Sequence, residues 1–226
     1  MGEVVGQLLP TAVGVALSPF PIVGVILMLL SNKARVNGPA FLIGWVAGLA
    51  IVIGVIVAFV DPDRLNTSDG DPSTLAGVLH LVLGILLLLL AVKQWKNRPT
   101  GGKEPEMPKW MAKMQDASPI FAVGMGAFLS GLNPKNLIFD IAAAAAIVSG
   151  DLTTSQEIVS ALIFIILASL TIGIPVIWYL VAGDSAKAKL ETLRGWLVQY
   201  NWVIMGVLFL VLGAKLIGQA VPAFFD

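Results

Sequence analysis

Cysteine is absent from the 226 residues, and histidine occurs once, as His80. The first absence rules out disulfides, thiolate metal sites and thiol redox relays together. The second leaves too few imidazoles for a histidine-rich metal site. Charge is also scarce, at 12% of residues against 57% apolar ones, too little to clothe the surface of a soluble domain. Formal net charge is zero, so the total points to neither an acidic nor a basic partner. Nucleic acid is not expected to bind. The opening residues MGEVVGQLLP carry Glu3 where a secretory leader has basic residues. With no small-residue cleavage site at the usual spacing, the first apolar stretch is read as retained. A nucleophile–base set, a metal-ligand cluster and a nucleotide-binding loop are all missing. An enzyme is therefore not expected, nor is transport driven by the chain's own ATP hydrolysis, and no cofactor is implied.

What the chain does have is long apolar runs, reflected in a mean hydropathy of +0.89. A bilayer core about 30 Å thick asks for roughly 20 apolar residues of helix. Six stretches meet that demand: about 4–30, 38–60, 75–95, 117–149, 155–182 and 197–222. Their connections divide by charge. One side receives Lys33, Arg35, Lys93, Lys96, Arg98, Lys103, Lys109, Lys113, Lys187, Lys189 and Arg194. The other receives Arg64 alone, in a loop with Asp61, Asp63, Asp69 and Asp71. The positive-inside bias makes the basic side cytoplasmic and puts both termini outside.

The halves echo each other. Leu17-Ser18-Pro19-Phe20-Pro21-Ile22 in the first stretch aligns with Leu132-Asn133-Pro134-Lys135-Asn136-Leu137 in the fourth. Superposing these motifs brings stretch two onto five and three onto six. Three spans per half is an odd number, so the second copy enters from the opposite face, as in many secondary transporters. The expected fold is an all-α integral membrane protein of about six transmembrane helices in two inverted three-helix repeats. Residues 1–95 form the first repeat, 96–116 a cytoplasmic basic linker, and 117–226 the second repeat. Each repeat begins with a broken or re-entrant helix, because proline inside a helix removes a backbone donor and clashes with the preceding turn.

Two such breaks at matched positions, flanked by Ser18, Asn133 and Asn136, can aim helix N-termini and unpaired N–H groups at a shared site. The plainer reading is two kinks that only shape packing. Lys135 sharpens the first reading: a lysine near the bilayer centre costs about 2.5–3.5 kcal/mol on insertion scales, so it should face protein, water or a ligand. Beside helix N-termini it would attract a phosphate, sulfate or carboxylate. Nearer the cytoplasmic face it would simply snorkel. Asp140 is the one acidic residue deep inside a span, Glu157 standing at the very start of the fifth. It is open to three roles: counter-ion to Lys135, proton-coupling carboxylate, or neutral structural group. Lys215 and His80 lie near span ends and read as structural. Gly44, Gly48, Gly54, Gly124, Gly126, Gly131 and the run Ala142 to Ala146 read as small-residue faces for close helix packing.

The Ser18-Pro19-Phe20-Pro21 break and the Gly131-Leu132-Asn133-Pro134-Lys135-Asn136 motif, within this six-span frame, resemble the LysE superfamily of small exporters. The chain looks most like its actinobacterial GAP-type branch, lipid-addressing proteins associated with moving glycopeptidolipids or sulfolipids toward the cell surface. The resemblance covers nearly the whole chain. It implies a bacterial plasma-membrane protein with Pro19, Pro21, Asn133, Pro134, Lys135 and Asn136 at its central site. Without cysteine the chain departs from the electron-carrying branches, and with one intramembrane carboxylate from the acidic-motif metal exporters. The function expected is an exporter or flippase for an anionic amphiphile such as a glycolipid or phospholipid. Its headgroup would sit among Ser18, Pro19, Phe20, Pro21, Asn133, Pro134, Lys135, Asn136 and Asp140. The alternatives are an exporter of small amino-acid-like solutes and a non-transporting accessory subunit of a lipid-export complex. Expected partners are membrane lipids, with a homodimer or lipid-export machinery beside them.

Overall fold

The computed structural model describes residues 1–60, 74–98 and 117–225, and every regular element among them is helical. The acidic stretch 61–73 and linker residues 99–116 lie outside the described residues, with the basic positions expected there. In chain order the helices are α1 (Gly2–Ala16), α2 (Pro19–Leu29), α3 (Ala34–Phe59), α4 (Thr74–Lys96) and α5 (Pro119–Ala127). A π-helical turn over Phe128–Leu132 leads to α6 (Pro134–Val148) and α7 (Thr154–Ala182). A 3₁₀ turn at Gly183–Ala186 precedes α8 (Lys187–Ala220) and the short α9 (Pro222–Phe225).

The first and fourth apolar stretches are each two helices, parted at Pro19 and Pro134. Proline alone does not decide this, because Pro10, Pro39 and Pro175 sit inside α1, α3 and α7 without ending them. The difference lies in the residue before. Ser18 and Asn133 are good N-caps with extended backbones, and the following proline at the first helical position gives up a donor that had no partner anyway. A cap followed by proline restarts a helix. The last stretch runs longer than its hydropathy shows: α8 begins at Lys187, ten residues before the apolar run at 197. Its first turns hold Ala, Leu, Lys, Glu and Arg, strong helix formers, with an Arg194–Glu191 ion pair along the surface.

Three helical runs are long and apolar enough to cross a bilayer: Ala34–Phe59, Thr74–Lys96 and Thr154–Phe224. The bent pair α1–α2, which turns by 53° at its break, is a fourth if taken as one span. The last run holds two helices of 29 and 34 residues, each longer than the roughly 20 a crossing needs. The chain changes direction between them at the 3₁₀ turn, where Lys189 Nζ lies 5.9 Å from the Trp178 ring. Gly183 makes that corner with a φ of +61°, a conformation a side chain would strain.

Contacts sort the helix ends into two groups. At one end Val4 meets Gly150, Ala76 meets Val148 beside Val60, and Gly77 lies against Ala223. At the other Asn37 bonds to Ala117, Arg35 approaches Gly183, and Trp95 packs on Trp202. The described chain thus passes between the ends six times. Lys33, Arg35, Lys93, Lys96, Arg98, Lys187 and Lys189 belong to the second end, which is the basic one.

Packing is matched across the halves: α3 lies on α5 as α7 lies on α1, and α3 meets α6 as α7 meets α2. Likewise α2 meets α8 as α6 meets α4, while α4–α8 and α3–α7 pair with their own counterparts. Small residues set the closest approach. A Cβ on Gly44 would strike the Val123 carbonyl and one on Gly126 the Phe41 carbonyl, so α3 and α5 touch backbone to backbone. Gly54 and Gly124 face open space and do not share this role. Phe41, Trp45, Phe139 and Phe164 are fully buried in the core beside them.

Candidate functional site

The site grows from the two restarts. Ser18 caps α2 by position, yet its side chain makes no bond to its own helix. Its hydroxyl instead donates across the molecule to Asn136 Oδ1 at 3.0 Å. Asn133 behaves as a local cap, accepting from the Lys135 backbone N–H at 3.2 Å. Asn136 Nδ2 donates at 2.8 Å to the carbonyl of Leu129, inside the π turn that leads into the break. One buried amide therefore joins both breaks and absorbs a carbonyl of an irregular turn. An unmade bond at either end would cost about 1–3 kcal/mol.

The C-terminal end of α1 reaches the same place. Its last carbonyls have no partner within the helix and carry partial negative charge. Lys135 Nζ donates to Gly14 O at 2.9 Å, and Thr171 Oγ1 on α7 donates to Ala16 O at 2.6 Å. Gly14 must be glycine for α6 and α8 to come this close, since a Cβ there would lie 2.9 Å from both the Phe139 ring and Leu212. Lys135 also lies over the Phe139 ring at 5.7 Å. An ammonium has three donors, so one bond to Gly14 leaves two available.

Between the restarts lies a cleft of about 320 Å³. Ser18, Pro19, Phe20 and Pro21 line it from α2, and Asn133, Pro134 and Lys135 from α6. Leu90, Lys93 and Gln94 of α4 and Met205 and Phe209 of α8 complete the wall. Cations and amides thus share the cleft with a band of apolar side chains. Its α4 wall lies near the basic end, within two turns of Lys96. Phe20 is exposed, as are Leu17, Leu132 and Pro134 near the breaks.

Asn136 and Asp140 do not line the cleft. Asn136 stands buried behind it, holding the breaks together. Asp140 lies one helical turn further along α6 with no exposed surface, and neither carboxylate oxygen has a hydrogen-bond partner among the described residues. Lys135 and Asp140 make no ion pair; the lysine bonds to the α1 carbonyl instead. His80 and Lys215 lie apart from the cleft, both half-buried on the facing helices α4 and α8.

The model of the family described as Sap, sulfolipid-1-addressing protein, matches residues 8–222. The chain belongs to that family. Both breaks, every described wall of the cleft, and Asp140 fall inside the matched residues. The resemblance to a sulfolipid-addressing branch is thereby borne out at the level of family. Among curated proteins and among solved structures, nothing matches this member of the sulfolipid-addressing family.

Several residues at the site were not singled out by sequence. Lys93 registered only through the basic charge at the end of a span and Gln94 not at all, with nothing to show that they turn inward. Thr171 is one hydroxyl in a long apolar helix, and Leu90, Met205 and Phe209 look like any core or lipid-facing residue. Carbonyl groups such as Gly14 O and Leu129 O leave no trace in a sequence. The available signal was the count of unpaired groups at a helix break, which must find donors somewhere.

Proposed function

We propose that this protein moves an anionic amphiphile, a glycolipid or phospholipid, across the bacterial plasma membrane, with the headgroup held in the cleft between the two restarts. The observation that carries this reading is the composition of the cleft wall. Lys93 and Lys135 supply positive charge, Gln94 and Asn133 supply donors, and Phe20, Leu90, Met205 and Phe209 supply apolar surface. An ionic headgroup joined to acyl chains asks for that combination, whereas a free hydrophilic solute has no use for the apolar wall. Membership of a sulfolipid-addressing family supports the lipid part of the reading.

The halves 1–95 and 117–226 act in this proposal as inverted copies, a relation favoured by packing that exchanges with itself. Both termini face outward, since the opposite end holds the basic residues. Orientation is open to a direct check because the chain has no cysteine of its own. Glu3→Cys should react with an impermeant thiol reagent on intact cells and Ser185→Cys should not. The reverse pattern would overturn the orientation.

Translocation is tested in proteoliposomes carrying a fluorescent phosphatidylglycerol or an uncharged diacylglycerol with the same label. Protein-dependent movement of the anionic probe, well above that of the uncharged one, is the expected result. Equal movement of both probes, or of neither, would defeat the proposal. Uptake of labelled amino acids by the same vesicles would favour the solute-exporter alternative.

A further inference from the structure

Asp140 has no part in holding the breaks and does not line the cleft, yet it is a carboxyl group placed in the most enclosed part of α6. It has no exposed surface, and no donor reaches either oxygen among the described residues. An ionised carboxylate in such a place would be expelled or paired, because burial of a bare charge is far costlier than burial of a neutral acid. The cation on the same helix, Lys135 five residues earlier, is bonded to Gly14 O instead.

The helices packed on α6 bring little else to bear. They carry Glu3 on α1, Arg35 on α3, His80, Lys93 and Lys96 on α4, and Glu157 and Tyr179 on α7. Lys135 is the one cation on α6 itself, five residues before Asp140. The two residues bracket the first turns of one helix, with the cation turned toward the cleft and the carboxyl behind it.

We propose that Asp140 is a proton-binding site whose occupancy sets the affinity of the cleft for its anion. With the proton bound, the carboxyl is neutral and the Lys135 charge acts undiminished on the cleft. When the proton leaves, a negative charge appears beside that ammonium in a medium of low dielectric, holds it to the protein and cancels the field that draws an anion. Proton and anion therefore bind together: each raises the affinity of the other by the same factor, as linkage requires. This inference rests on the reading of the cleft as a headgroup site, but the proton site itself can be examined without any lipid.

Two measurements on the full-length protein decide it. Infrared difference spectra across a pH titration should show the carbonyl band of a protonated carboxylic acid at neutral pH, and Asp140→Asn should lack it. Binding of a short-chain phosphatidylglycerol to the detergent-solubilised protein should weaken as pH rises, by up to about tenfold per pH unit once Asp140 ionises. Asp140→Asn, which mimics the protonated acid, should bind at the wild-type low-pH level across the range. If the infrared band is absent from the wild type at neutral pH, or if Asp140→Asn retains the pH dependence, the proposal is overturned. If no anionic probe binds at any pH while the band is present and assigned to Asp140, the headgroup reading fails and the proton site stands.

Discussion

The two breaks use one backbone device and wire it differently. Each is a capping residue followed by proline, Ser18-Pro19 and Asn133-Pro134. Superposed, Phe20 stands where the second break has Lys135, and Pro21 where it has Asn136. The second break therefore carries the cation and the amide that both breaks share. The first contributes an aromatic wall, and its hydroxyl, carbonyls and helix end are satisfied from elsewhere, by Asn136, Lys135 and Thr171. In an internal repeat the backbone can stay symmetric while the polar work passes to one copy. On the proposed reading of the cleft, anion recognition falls to the second half.

The sharpest way to break that comparison is at Asn136. Asn136→Leu strands the Leu129 carbonyl and removes the acceptor for Ser18 in a buried setting. A loss of about 2–4 kcal/mol is expected in denaturant or thermal unfolding in detergent. A loss no greater than that of Ser18→Ala would mean that the amide does not hold both breaks.

Lys135→Ala comes next and should separate function from stability. Removing a charge-assisted bond to Gly14 O costs about 1.5–3 kcal/mol, while losing a buried lysine returns about 2.5–3.5 kcal/mol of insertion cost. The two nearly cancel, so the melting temperature should barely move. Transport of the anionic probe should fall about ten- to a hundredfold, the equivalent of one such contact. Phe20→Lys in that background should restore part of it, because it places a cation on the other wall of the same cleft. Lys135→Arg should retain part of the wild-type rate and Lys135→Glu should be worse than alanine. Full transport by Lys135→Ala would remove the anion site from the second half.

Much of this was legible in the sequence, for identifiable reasons. Hydropathy located the apolar stretches because lipid imposes length and composition directly. The breaks were legible because proline stands well inside two long apolar stretches, at positions that match when the halves are superposed. Lys135 and Asp140 stood out because charge in an apolar run is rare. The bonds among them were not legible. Ser18 and Asn136 are 118 residues apart, and Lys135 and Gly14 are 121 apart. A Lys135–Asp140 pair was one of three roles left open; the acceptor Lys135 takes instead is a helix-end carbonyl, strengthened by its dipole, that no sequence displays. The start of α8 was missed because hydropathy marks where lipid begins, and a helix need not end there.

A smaller effect tests whether the first break truly depends on foreign donors. Ser18→Ala removes one buried bond while leaving Asn136 its tie to Leu129, and should cost about 0.5–1.5 kcal/mol. In a double-mutant cycle, Ser18→Ala should add almost nothing once Asn136→Leu has been made. Additive losses would show that the hydroxyl has another partner and that the breaks are held independently.

The smallest expected effect is at Thr171, the α7 hydroxyl that takes the Ala16 carbonyl at 2.6 Å. Thr171→Val keeps the shape and removes the donor. Hydrogen bonds between membrane helices average about 0.6 kcal/mol in double-mutant cycles, so the change in stability should be of that order. The more telling readout is local. Leu17 donates its amide to Val13 O in the last turn of α1, and that turn is fixed from outside by Thr171 and Lys135. With Thr171→Val, exchange of the Leu17 amide should quicken about threefold, the factor that 0.6 kcal/mol corresponds to. A reference amide at the second break, Lys135 N–H on Asn133 Oδ1, is capped within its own loop and should keep its rate. Equal acceleration at both breaks would mean that Thr171 supports the fold at large, and unchanged exchange at both would mean that α1 ends securely without it.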